Sequence, residues 1–133
     1  MADRYYVLQR FDGYIGTDAV LPYTAVTIDT TDFGGELTDN YTCILDITVL
    51  SVRRAPGSTS GGAAMISIAF GRSNGTTYDF GDTSLVKVGT PAVTAIAGNV
   101  SVNNFIIQIT PQHAQPTQHQ VIIEAKAFKP YFT

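Results

Sequence analysis

The stretch Tyr41-Thr42-Cys43-Ile44-Leu45-Asp46-Ile47-Thr48-Val49-Leu50-Ser51-Val52-Arg53 decides the fold class. Cys43, Leu45, Ile47 and Val49 recur at every second position while Thr42, Asp46 and Thr48 fill the alternate ones, and only an extended chain sends successive side chains to opposite faces. The pattern predicts a strand with one buried face. Ile44 and Leu50 interrupt its polar face, so part of that outward surface is expected to lie under a loop, a partner strand or another subunit.

The same period of two runs along most of the chain, and no window of helical length keeps apolar residues at i, i+3, i+4 and i+7 with caps at its ends. Further strands are expected at Tyr5 to Phe11, Tyr23 to Asp29, Ala64 to Phe70, Thr76 to Phe80, Leu85 to Val88, Ala92 to Ile96, Asn103 to Thr110 and Gln120 to Phe128. Each is bounded by Gly, Pro, Asp or Asn. Short strands without interleaved helices read as an all-β antiparallel sandwich or barrel, and eight or nine of them fit a two-sheet jelly roll. Asn74-Gly75 predicts a type I′ hairpin, which needs positive φ at both central residues, and Asp12-Gly13 is a second candidate turn. With 133 residues, no internal repeat and no linker, one domain over 1–133 is expected.

Charged residues make up 14% of the chain, against roughly 25% in an average domain. A surface of Thr, Ser, Asn, Gln and Gly desolvates more cheaply than a charged one, which suits a subunit that other proteins cover; a Thr-rich β protein without partners has the same composition. A net charge of −3 argues against nucleic acid, whose phosphates are held by clustered Lys and Arg. Arg53 and Arg54 read as the solvated end of a strand. No run is long and apolar enough for a membrane helix, and Met1-Ala2-Asp3-Arg4-Tyr5-Tyr6 lacks the plan of a signal peptide, so synthesis in a cytoplasm is expected. The sequons at Asn40, Asn74 and Asn99 are then expected to be chance matches in a Thr-rich sequence.

Catalysis needs a nucleophile beside a base, a metal, or a tuned pair of carboxylates. None is apparent, and no enzyme activity or cofactor is expected. Cys43 sits in the buried phase of its strand with no cation to stabilise a thiolate. His113 and His119 both fall in the Gln- and Pro-rich stretch from Pro111 to His119, without zinc spacing, and read as loop residues. Asp29-Thr30-Thr31-Asp32 and Asp79-Phe80-Gly81-Asp82 place carboxylates at strand ends, where the ordinary role of Asp is to bond its own backbone and the alternative is calcium. Ala55 to Gly62 and the 111–119 stretch are the two long loops, and Ser58, Thr59, Ser60, Gln112, His113 and Gln115 are the candidate exposed contacts within them. Tyr14, Tyr23 and Tyr78 are the aromatics suited to stack on a sugar. Tyr5, Tyr6, Phe128, Tyr131 and Phe132 are candidate interface residues, because an apolar terminus is expected to dock on its own domain or on a neighbouring subunit.

From Val86 onward, Lys87-Val88-Gly89-Thr90-Pro91-Ala92-Val93 leads to Asn103-Asn104-Phe105-Ile106-Ile107-Gln108-Ile109-Thr110, then to a loop, then to Val121-Ile122-Ile123-Glu124-Ala125-Lys126-Ala127. This order resembles the small β-rich virion proteins of tailed bacteriophages: head-decoration proteins, head fibres and tail-associated adhesin domains. That group often opens its last strand with Trp, where Gln120 and Val121 stand here. The resemblance covers the C-terminal third, carries no diagnostic motif and transfers no functional residue. It implies a non-enzymatic virion subunit, of capsid-decoration or fibre type, that attaches to a capsid or tail protein and assembles with itself, commonly as a trimer. The competing reading is a carbohydrate-binding module or lectin-like receptor-binding domain.

Overall fold

The computed structural model describes residues 2–15, 21–33, 37–53, 61–112 and 117–129, with the backbone alone for 2–15 and 53. Nine strands occur among them: β1 (Ala2–Ile15), β2 (Tyr23–Asp29), β3 (Tyr41–Arg53), β4 (Gly61–Ser73), β5 (Thr76–Asp82), β6 (Val86–Gly89), β7 (Val93–Ser101), β8 (Asn104–Pro111) and β9 (Thr117–Lys129). One sheet has the order β1-β9-β3-β4-β5, with β6 also on β4; the other has the order β2-β8-β7, and every pairing is antiparallel. The nesting of β2 with β8 inside β1 with β9 rolls the chain into a two-sheet, jelly-roll-like sandwich.

The strand that decides the fold lies at its centre, with β4 on one side and β9 on the other. Its inward residues Cys43, Leu45, Ile47 and Val49 are buried against Ile107, Ile109 and Phe105 of β8, while Ile44 and Leu50 remain exposed on the outer face. Burial pushes the Cys43 thiol up to about 12, so it stays protonated at neutral pH. At one end of the core Phe70 and Phe105 stack at 4.7 Å, and Phe33 and Tyr41 meet the edge of Phe70. Phe33 and Leu37 pair backbone to backbone and close the β2–β3 connection over this cluster.

Gly98 is required by that cluster. A Cβ there would lie 2.4 Å from Cζ of Phe105, so the ring occupies the place of the missing side chain.

Asn74 and Gly75 form the expected hairpin, with φ of 50° and 79° between the paired Ser73 and Thr76. Asp12-Gly13 is no turn: both residues lie within β1, paired to Gln120 and His119, because β9 is long enough to hold a fourteen-residue partner. Asn103 opens no strand either. It sits with Val102 in the two-residue turn between Ser101 and Asn104. The expected strand from Leu85 to Val88 is Val86–Gly89, and it continues the path of β5 along the same edge of β4. Residues 83–85 leave the ladder between them. Thr83 bridges the gap by donating its N–H to the Ser67 carbonyl at 2.9 Å and accepting the Ser67 N–H on Oγ1 at 3.0 Å.

The largest correction concerns His119. It lies on β9, fully buried and opposite Ser51 of β3, because β9 begins at Thr117 and places 117, 119 and 121 in the inward phase. Burial holds its pKa below the usual 6.5, which leaves a neutral ring. Tyr23 has its hydroxyl 3.0 Å from Nδ1, and burial raises that hydroxyl to about 12. The phenol and Nδ1 share one hydrogen bond, whose direction follows the ring tautomer, and Nε2 is buried without a hydrogen-bond partner among the described residues.

This arrangement makes stability depend on pH. Between the native pKa and 6.5 the unfolded chain binds a proton that the folded chain refuses, so stability falls as pH drops below about 6.5. Thermal melts of His119→Gln are expected to lose less between pH 7.5 and pH 5.5 than those of the wild type, since Gln keeps an acceptor for Tyr23 and has no proton to gain. Equal losses would show that His119 is not the titrating group.

Candidate functional site

The outer face of the six-stranded sheet is the distinctive surface. Of the eleven exposed large apolar side chains among the described residues, only Leu21, Val100 and Val102 lie elsewhere; the rest belong to β3, β5, β6 and β9 on this face. Exposed apolar side chains gathered on one face mark a contact surface. Register arranges it in rows across the strands. Ile44 stands between Lys126 and Ala69, Asp46 between Glu124 and Ser67, Thr48 between Ile122 and Met65, and Leu50 between Gln120 and Ala63. Val86 extends the Met65 row and Val88 the Ala63 row.

At the β5 edge, Tyr78 and Phe80 form an aromatic pair with planes 7° apart and centroids 6.2 Å apart, and they remain 45% and 55% exposed. Sequence spacing alone puts them on one face, and a shift of register between Ala69 and Phe70 turns Phe80 toward the sheet. Its ring edge fills the space above Gly71, where a Cβ would lie 2.6 Å from Cε2. Tyr78 is paired opposite Gly71 in the ladder, whereas Phe80 is the extra residue of the bulge and is held by its ring over Gly71.

Beside this edge, a groove of about 270 Å³ lies between β4 and the interrupted edge, lined by Asp46, Thr48, Met65, Ser67, Thr83 and Val86. Ser67 donates its hydroxyl to Asp46 Oδ1 at 2.7 Å. A second hollow, of about 260 Å³, lies against Leu50, Val52, Gly62, Gln118 and Gln120.

Of the candidate contacts, Phe128 is half-exposed at the end of β9 on the outer face, two residues beyond Lys126. Tyr5 and Tyr6 have their backbones paired with Lys126 and Ala125 in the edge strand β1. Tyr131, Phe132, Ser58, Thr59, Ser60, His113 and Gln115 lie outside the described residues. Gln112 is exposed and donates its N–H to the Ala92 carbonyl at 3.1 Å. Tyr23 is not available as a sugar platform, since it is half-buried with its hydroxyl committed to His119. Asp29 accepts the Thr31 N–H and hydroxyl, which lowers its pKa, and Asp79 accepts the Gly81 N–H. Both make the backbone contacts usual for a turn Asp. Among the described residues no three His, Cys, Asp or Glu converge on a point, and no helix is long and apolar enough to cross a membrane.

The sandwich aligns over 96% of its length with a tailspike protein of Acinetobacter baumannii phage AM24, at a TM-score of 0.54 and 9% identity. The fold is one found in a phage tailspike. The chain spans 26% of that tailspike's length. It also aligns with the tailspike gp49 of the A. baumannii bacteriophage Fri1, a capsular polysaccharide depolymerase, over 90% of this chain and 19% of that one, at a TM-score of 0.40 and 10% identity. No family model matches the sequence, and no curated protein does.

Arg72 escaped the sequence reading. It continues the inward phase of Ile66, Ile68 and Phe70, and an Arg in that phase is the signal that was there to be used. Its role is in the fold, at the end of the sandwich opposite His119.

Proposed function

We propose that the chain is a non-enzymatic recognition module of a bacteriophage tail protein, and that its outer sheet face holds a surface polysaccharide. The observation that carries this reading is the half-exposed Tyr78–Phe80 pair. Two rings with parallel planes, fixed on a strand, offer flat apolar area at little cost in side-chain entropy, and the C–H faces of sugar rings stack on such area. The fold shared with part of a phage tailspike favours a tail location over capsid decoration. A binding role without catalysis fits the burial of both described groups that are candidates for nucleophile and base, Cys43 and His119.

Assembly belongs to the same reading. Phe128 stands exposed on β9, beside the edge strand β1 and three strands away from β5, so a homo-oligomer, a trimer in the simplest case, or a second virion protein that pairs along the β1 edge leaves Tyr78 at the opposite edge open.

Affinity gels loaded with bacterial surface polysaccharides test the proposal. The wild-type chain is expected to bind at least one of them saturably, and Tyr78→Ala to weaken that binding at least tenfold while melting like the wild type. Retention of full affinity by the variant, or no saturable binding across the panel, would sink the reading.

A further inference from the structure

Glu124, Asp46, Ser67 and Thr83 form one polar line across β9, β3, β4 and the interrupted edge, because Asp46 is paired to both Glu124 and Ser67 and Thr83 bonds Ser67. Strands lie about 4.8 Å apart, so the line is roughly 14 Å long. Lys126, Ile44 and Ala69 border one side, and Ile122, Thr48, Met65 and Val86 border the other.

Two features of this line need a cause. Asp46 and Glu124 are like charges set directly opposite each other on neighbouring strands, an arrangement that weakens a sheet. The edge strand also leaves the ladder at 83–85, beside the same row, and this opens the groove over Asp46 and Ser67. A sequence that departs from good local rules twice at one place does so most readily for a ligand.

We infer that this line is a track for a linear polysaccharide of neutral or amino sugars, and that it excludes polyuronates. The inference rests on the polysaccharide reading above and specifies its charge class. Carboxylates only accept hydrogen bonds, and sugar hydroxyls or ammonium groups supply the donors. Thr83 Oγ1 already accepts from Ser67 N–H, which leaves its own proton for a sugar oxygen. The apolar residues of these borders receive the C–H faces. Lys126, one row away, is the only Lys or Arg whose described side chain stands on the face of β9, β3 and β4, so along these three strands a uronate chain would lay its charges over two carboxylates and one cation.

The test is a binding series with oligosaccharides of cellulose, chitin, chitosan and alginate, run on the wild type, Tyr78→Ala and the double variant Asp46→Asn with Glu124→Gln. The wild type is expected to bind a neutral or amino-sugar chain, the tetramer at least tenfold more tightly than the dimer, and to leave alginate free. The double variant should lose at least tenfold for the chain that binds, and its melting temperature should equal or exceed that of the wild type, since the like-charge pair is gone. Preference for alginate, or a double variant that binds like the wild type while Tyr78→Ala fails, would overturn the track and leave the polysaccharide reading standing. Absence of binding to all four chains would overturn the track, and absence across the wider bacterial panel as well would remove both readings.

Discussion

Phe105→Ala is expected to lower the unfolding free energy by about 3–5 kcal/mol, the cost of emptying an aromatic site that its surroundings refill only in part. Phe105 is fully buried and stacks on Phe70 at 4.7 Å with planes 11° apart. It also covers Gly98, so truncation leaves a cavity on one side and a bare glycine backbone on the other. Collapse is limited, because Phe70 is held from behind by Phe33 and Tyr41. Small β domains carry about 5–15 kcal/mol in total, so the variant should unfold at far lower urea with an unchanged slope. Phe105→Leu keeps most of the volume and should lose less than half as much. An unfolding free energy for the alanine variant within about 0.5 kcal/mol of the wild type, by the usual linear extrapolation, would mean that the stack does not organise the core.

The part of this core that the sequence displays openly is the part built on alternation. Tyr41–Arg53 and Tyr23–Asp29 have the bounds that their patterns predict, and the Asn74-Gly75 turn follows from its chemistry. Legibility fails where distant contacts override local signals. Thr117, Gln118 and His119 look like a loop because they are polar and follow Pro116, yet β3 and β1 both pair with them and draw them into the sheet. Asp12-Gly13 has turn chemistry inside a strand for the same reason. The aromatic shelf was half visible: Tyr78 stands out as a surface aromatic, but nothing local says that Phe80 would lie over Gly71. The Asp46–Glu124 opposition depends on register between strands more than seventy residues apart, which no local pattern contains.

Replacing Arg72 by methionine is expected to cost about 2–4 kcal/mol, since hydrogen bonds from a charged group are worth about 1.5–3 kcal/mol and several are lost together. The Arg72 side chain is only 10% exposed, and the two protons of its Nη1 are shared among Thr30 Oγ1, Thr77 Oγ1 and Asn103 Oδ1 at 3.3, 3.2 and 3.0 Å. Its Nε lies 3.6 Å from Asp39, an ionic contact longer than a hydrogen bond, and Asp39 in turn accepts the Gly75 N–H. One side chain thus ties together the β2–β3 connection and the β4–β5 and β7–β8 turns. The last of these turns needs the tie. Val102 holds a φ of 55° while 83% exposed, a conformation that costs a β-branched residue about 1–2 kcal/mol and that no packing offsets. Asn103 supplies what holds it, accepting the Thr30 N–H and hydroxyl on its carbonyl at 2.9 and 2.8 Å and Arg72 on its amide oxygen. Met keeps the apolar stem of Arg72 and removes only the guanidinium, so the loss reads the hydrogen bonds rather than a cavity. Amide hydrogen exchange should then speed up at Asn104 and Thr76 before it does at Leu45. Val102→Gly should recover part of the loss, because glycine adopts that φ without strain. Arg72→Met with unchanged exchange at both turns would show that each hairpin holds its own shape.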